Sequence, residues 1–138
     1  MNVVRLDNVA GVRQPAYLRS VVLAADANNG TFVTLGTLAD GEREIFNATV
    51  TKEGDKNVAL LASPEVIVNN ATKNDVTDFT NVAGVPARAY LLQVGDQFSV
   101  TGGTYVVGTA VTVGNLTIMP IAKETVGDLA FDVLEVRA

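Results

Sequence analysis

The chain has 138 residues and a net charge of −5, with 48% hydrophobic and 18% charged residues. That is the size of one ordinary domain, apolar enough to exclude disorder and too short for two large cores. It contains no Cys and no His, which removes disulfides, thiolate nucleophiles, imidazole bases and the usual zinc and copper ligands together.

The charge is unevenly spread. Residues 1–24 carry Arg5, Arg13 and Arg19 against Asp7 alone, so the rest of the chain is strongly acidic. An acidic body disfavours nucleic acid, whose binding is driven by phosphate neutralisation. The three arginines suit either plain solvation or an acidic protein surface. No apolar run reaches the length of a membrane span, and MNVVRLDNV has neither a basic leader nor an apolar signal core, so no membrane is expected and a cytosolic setting is. Charge this sparse is thin cover, and some apolar surface is expected to meet a partner.

In chain order, residues 1–15 read as an extended N-terminal arm and 16–138 as a single all-β domain. Residues 16–24 form a β-branched and aliphatic run that ends in DANNG, and Asn29-Gly30 before Thr31-Phe32-Val33 predicts a tight hairpin. Asp40-Gly41 makes the next turn, and residues 43–51 alternate polar with apolar, the pattern of a half-exposed strand. Glu53-Gly54-Asp55 turns the chain into a strand over 57–62. Ser63-Pro64 bars a helix, 65–68 read extended, and the polar run 69–75 is a linker. Strands then follow over 88–94, 97–101, 104–107, 111–113, 116–119 and 129–136, with Gly114-Asn115 as a turn. No segment holds a helical apolar stripe for three turns. Short strands with frequent turns predict a small β-barrel or β-sandwich.

An internal repeat underlies this pattern. NVAGV occurs at residues 8–12 and again at 81–85, and at the same offset of 73 Tyr17-Leu18 meets Tyr90-Leu91, Gly41 meets Gly114 and Gly54-Asp55 meets Gly127-Asp128. A constant offset without gaps favours two duplicated β units, about 1–65 and 74–138; convergent turn grammar is the competing explanation.

The chemistry-bearing residues read as structural. Asp26, Asp40, Asp55, Asp96 and Asp128 all lie beside glycine or in turns, where Asp bonds its own backbone. A glycosidase would need two facing carboxylates and aromatic platforms, and the chain has no Trp. DANNG lacks the further ligands of a calcium loop, and Gly102-Gly103 precedes no helix that could hold phosphate. The expectation is a non-enzyme without metal or cofactor. The four sequons, at Asn29, Asn47, Asn70 and Asn115, accompany no secretory signal. Tyr17 and Tyr90, equivalent under the repeat, are core aromatics or an exposed platform.

NGTFVTLGTLADGERE (29–44), LLASPEVIV (60–68) and DFTNVAGVPARAYLLQVGDQFSV (78–100), with their spacing, resemble the decoration or cement proteins encoded beside the major capsid protein of tailed bacteriophages. The similarity covers about residues 16–113. It implies a structural virion protein, made in the host cytoplasm, that binds the outside of the assembled capsid and braces it by bridging major capsid subunits, with self-association also open. In that setting the arm would dock through Val3, Val4, Arg5, Leu6 and Arg13. The alternative is a carbohydrate-binding or adhesive β-module on the virion, which predicts Tyr17 and Tyr90 side by side on the surface.

Overall fold

The computed structural model describes residues 3–9, 12, 17–41, 43–63, 80–101, 105–127 and 129–137; the extended segment expected at 65–68 and the linker at 69–75 lie outside them. The protein is all-β, with strands β1 (Val4–Asn8), β2 (Leu18–Leu23), β3 (Phe32–Leu38), β4 (Ile45–Val50), β5 (Val58–Leu61), β6 (Ala87–Leu91), β7 (Gln97–Thr101), β8 (Val111–Val113), β9 (Leu116–Val126) and β10 (Leu129–Arg137). Five of them close a barrel in the order β2-β4-β3-β5-β6, and the other five form a sheet in the order β1-β7-β10-β9-β8.

Every barrel pairing is antiparallel except β2 with β4. The chain overshoots at β3 and returns through β4 into the gap beside β2, so those two strands run the same way. The interior is narrow. Val21, Leu23, Val33, Ala48, Ala59, Leu61, Ala87 and Ala89 fill it, and the four alanines let five short strands close without overpacking.

A second core joins the barrel to the sheet. Val9, Val58, Leu60, Tyr90 and Leu92 meet Phe98, Val100, Ile118, Leu134 and Val136 there, and the rings of Phe32 and Phe98 pack edge to face with centroids 6.0 Å apart. Strand β5 belongs to both cores. All four of its residues are buried; Ala59 and Leu61 point into the barrel, Val58 and Leu60 toward the sheet. Successive side chains of a strand face opposite ways, so an unbroken apolar run is what burial on both faces requires.

One turn shape recurs. Residues 28–31, 52–55, 82–85, 93–96 and 106–109 each close with a hydrogen bond of 3.0 to 3.2 Å from the fourth N–H to the first carbonyl. The third residue is always glycine, at φ between 77° and 97°. A positive φ at that place defines a type II turn, and glycine adopts it without strain. The hairpin expected at Asn29-Gly30 is therefore not formed: a type I′ turn needs both residues at positive φ, only Gly30 has it, and β4 takes the place beside β2 that β3 would need. True two-residue hairpins join β8 to β9 and β9 to β10, pairing Val113 with Leu116 and Val126 with Leu129. Each has glycine first, Gly114 and Gly127, at φ 58°. Residues 105–107, expected in a strand, lead instead into the 106–109 turn.

Of the arm expected over 1–15, Val4–Asn8 is strand β1, paired in the sheet: Val4 lies opposite Val100 and Arg5 opposite Ser99. The sheet thus takes β1 from the first half of the chain, and the barrel takes β6 from the second. The offset of 73 sets β4 on β9 and β5 on β10. Gly41 and Gly114, and Gly54 and Gly127, share positive φ, whereas the neighbours of these strands differ between the halves.

Two substitutions test this packing. Leu60→Ala is expected to cost about 2–5 kcal/mol in urea unfolding, as for other fully buried leucines. At Gly114 an added Cβ would lie 2.6 Å from the Asp55 carbonyl oxygen and 2.7 Å from Val58 Cγ2. Gly114→Ala should therefore lower the melting temperature, while Asn115→Ala, at the exposed neighbouring position, should leave it nearly unchanged.

Candidate functional site

The five candidate docking residues fall out differently. Val3 is tied to β7: its N–H donates to Thr101 Oγ1 at 2.7 Å, and its carbonyl accepts from the Thr101 N–H at 3.0 Å. Val4 and Leu6 pack against the core between barrel and sheet. Both are partly buried there. Arg5, on the opposite face, lies 4.0 Å over the Phe131 ring and 3.3 Å from Glu124 Oε1, while the neighbouring Asp7 accepts from Ser99 Oγ at 2.5 Å. Arg13 lies outside the described residues. The alternation Val4-Arg5-Leu6-Asp7 has a period of two, the mark of a half-buried strand.

The glycine-linked acids are staples. In the 52–55 turn the Lys52 N–H donates to Asp55 Oδ2 at 2.8 Å, and in the 93–96 turn the Gln93 N–H donates to Asp96 Oδ2, also at 2.8 Å. Both turns read x-x-Gly-Asp, so the side chain of the last residue closes back on the first while its own N–H completes the turn. Thr34 Oγ1 also donates to Asp55 Oδ2, at 3.0 Å. Those bonds, first the Lys52 amide and then the threonine hydroxyl, hold the Asp55 carboxyl below its ordinary value. Asp26 Oδ1 accepts from the Ala83 N–H at 2.8 Å. Asp40 sits in the turn between β3 and β4, and Asp128 is outside the described residues. Glu135 is held low as well, by Gln97 Nε2 at 2.7 Å and then by Arg137.

A buried amide pair ties three segments together. Asn29 Nδ2 donates to the Ser63 carbonyl at 2.9 Å, Asn29 Oδ1 accepts from the Ser63 N–H at 3.0 Å, and Asn81 Nδ2 donates to Asn29 Oδ1 at 2.9 Å. Asn29 and Asn81 are both buried, and each bond satisfies an amide that would otherwise be desolvated at a cost. The sequon at Asn29 is consequently closed to modification in the folded protein. Asn47 and Asn115 are exposed; Asn70 is outside the described residues.

Between barrel and sheet a cleft of about 460 Å³ is lined by Phe32, Val50, Thr51, Lys52, Glu53 and Val113 among others. Lys52 and Glu53 are exposed at its mouth, and its walls are apolar or hydroxylic. Its hydroxyls are those of Thr31, Thr51 and Thr112. On the sheet, Asp132 is buried 3.3 Å from Lys123 Nζ, and burial first, then the Asp132 charge, raises the Tyr105 hydroxyl. Among the described residues no three His, Cys, Asp or Glu side chains are grouped to hold a metal ion. Tyr90 is buried in the core, so Tyr17 and Tyr90 do not form an exposed platform. Compared with known proteins, the chain matches no family model, no curated protein and no solved structure.

A depressed folded-state pKa stabilises above the unfolded value and is lost as pH falls through the folded one. The Asp55 staple is therefore intact at neutral pH and released below about 3.8, its ordinary value. Asp55→Asn should be less stable than wild type at pH 7, and the gap in melting temperature should shrink steadily as both are titrated below pH 4. A gap that stays constant would show that charge on Asp55 plays no part.

Proposed function

We propose that this is a structural virion protein that decorates the outside of an assembled phage capsid and braces it by bridging neighbouring major capsid subunits. The reading rests first on the resemblance over residues 16–113. The observation that supports it most is the division of labour in the surface. Asp26, Asp55 and Asp96, which a reaction would need, are bonded into turns, while a set of valines is left to solvent by the core. Val12, Val50, Val82, Val85, Val94, Val106, Val107 and Val126 are all exposed, and a protein with so little charge gains by covering them against a partner.

Stabilisation would follow mass action. A ligand that binds the assembled shell and not its free subunits stabilises the shell by its binding free energy, multiplied over many copies. No covalent step is required. In the arm, Val4 and Leu6 are partly buried against the core, and Arg5 is engaged by Phe131 and Glu124.

The decisive experiment mixes the protein with expanded and unexpanded shells of its phage and weighs what sediments. The expected outcome is saturable binding to expanded shells and a higher temperature of shell disruption. Binding to neither form would end the capsid assignment.

A further inference from the structure

The sheet has two edges. At one end β1 pairs with β7 alone; at the other, β8 covers β9 only over residues 116–118, and the Gly108 N–H reaches the Pro120 carbonyl. Past Pro120, no strand among the described residues lies on that side of β9, and residues 122–126 are all exposed. An unpaired strand edge is a template for another strand.

The free backbone groups can be followed along both edges. The hairpin that closes β9 onto β10 makes Val126 and Leu129 a bonded pair, so by antiparallel alternation Thr125 and Lys123 aim their N–H and C=O groups away from β10. On β1 the Val3 carbonyl accepts from the Thr101 N–H, so Val4 and, next in the alternation, Leu6 aim theirs away from β7. The pairings from β1 through β7 and β10 to β9 are all antiparallel. A second copy displaced along the sheet therefore brings its β1 antiparallel to the β9 of the first.

One register joins the free groups, with Thr125 opposite Val4 and Lys123 opposite Leu6 of the second copy. That register also sets Glu124 opposite Arg5 and the exposed Val126 opposite Val3. Arg5 and Glu124 already share the outer face, 3.3 Å apart within one molecule, so charge alternates in sign across the joint. Sliding the second strand by two residues loses the match, because Glu124 then faces Asp7 in one direction and Val3 in the other.

We propose that the outer edge of β9 docks the β1 edge of a second copy of this chain, continuing the sheet from molecule to molecule. Each copy offers both edges, on opposite sides of the sheet, so association is head to tail and does not stop at two. The inference stands apart from the capsid reading, since it needs no shell.

The test is sedimentation of the full chain over a range of concentrations, with Arg5→Glu, Glu124→Arg and Thr125→Pro compared, each checked for folding by its melting curve. Wild type should form species larger than a dimer. Each charge reversal sets like charges opposite one another and should raise the concentration needed for assembly at least about tenfold. An equimolar mixture of the two reversals should assemble as wild type does, because every joint between unlike copies then holds one acid and one base. Mixing cannot repair the pair within a molecule, so recovery reports the joint alone. Thr125→Pro removes an outward N–H and no bond inside the sheet, and it should weaken assembly as well; it decides the matter if a charge reversal does not fold. Wild type that stays monomeric or stops at a dimer overturns the proposal, as does a mixture no better than its components or a folded Thr125→Pro that assembles like wild type.

Discussion

The structure depends on one short strand having no solvent side. β5 supplies Ala59 and Leu61 to a barrel too narrow for larger neighbours, and Val58 and Leu60 to the contact with the sheet. Because its two faces serve two cores, neither core is complete without it, and barrel and sheet cannot separate without exposing leucine. β6 repeats the arrangement on a smaller scale, with Ala87 and Ala89 inward and Tyr90 outward. Burial of apolar surface is the largest driving force in folding, and here it is concentrated in a seam shared by the two bodies.

Much of this is legible in the sequence. The strands expected over 97–101 and 111–113 have those limits in the structure, and the alternation in 43–51 matches a strand with one wet face. The Gly-Asp turns are turns. What the sequence hides has common causes. β1 reads as an arm, although Val4 and Leu6 alternate with Arg5 and Asp7, because its partner β7 lies more than ninety residues away and no local signal announces such pairing. Asn29-Gly30 reads as a hairpin because its dipeptide favours one, and tertiary packing overrides that preference: a buried Asn29 side chain bonded to Ser63 and Asn81 requires a different turn. The same long-range network lies behind the difference between candidate and observed site, since a buried amide clamp across residues 29, 63 and 81 leaves no motif.

The turns also show how one local rule is reused. Glycine in third place lets the chain reverse in five settings, and in two of them the following aspartate adds a side-chain staple. Asp55 and Asp96, acids that a search for catalysis would gather, thereby each serve their own reversal. That arrangement stiffens both loops.

The exchange of strands between halves bears on how the molecule comes to exist. The barrel closes only when β6 arrives to pair with β2, and β1 finds its place only when β7 has been made. Nothing that leaves the ribosome early can complete either layer, so folding must wait until most of the chain has been synthesised, with the apolar residues of β2 to β5 exposed in the meantime. Once formed, the same topology ties the beginning of the chain to its end, and pulling on either half loads the other.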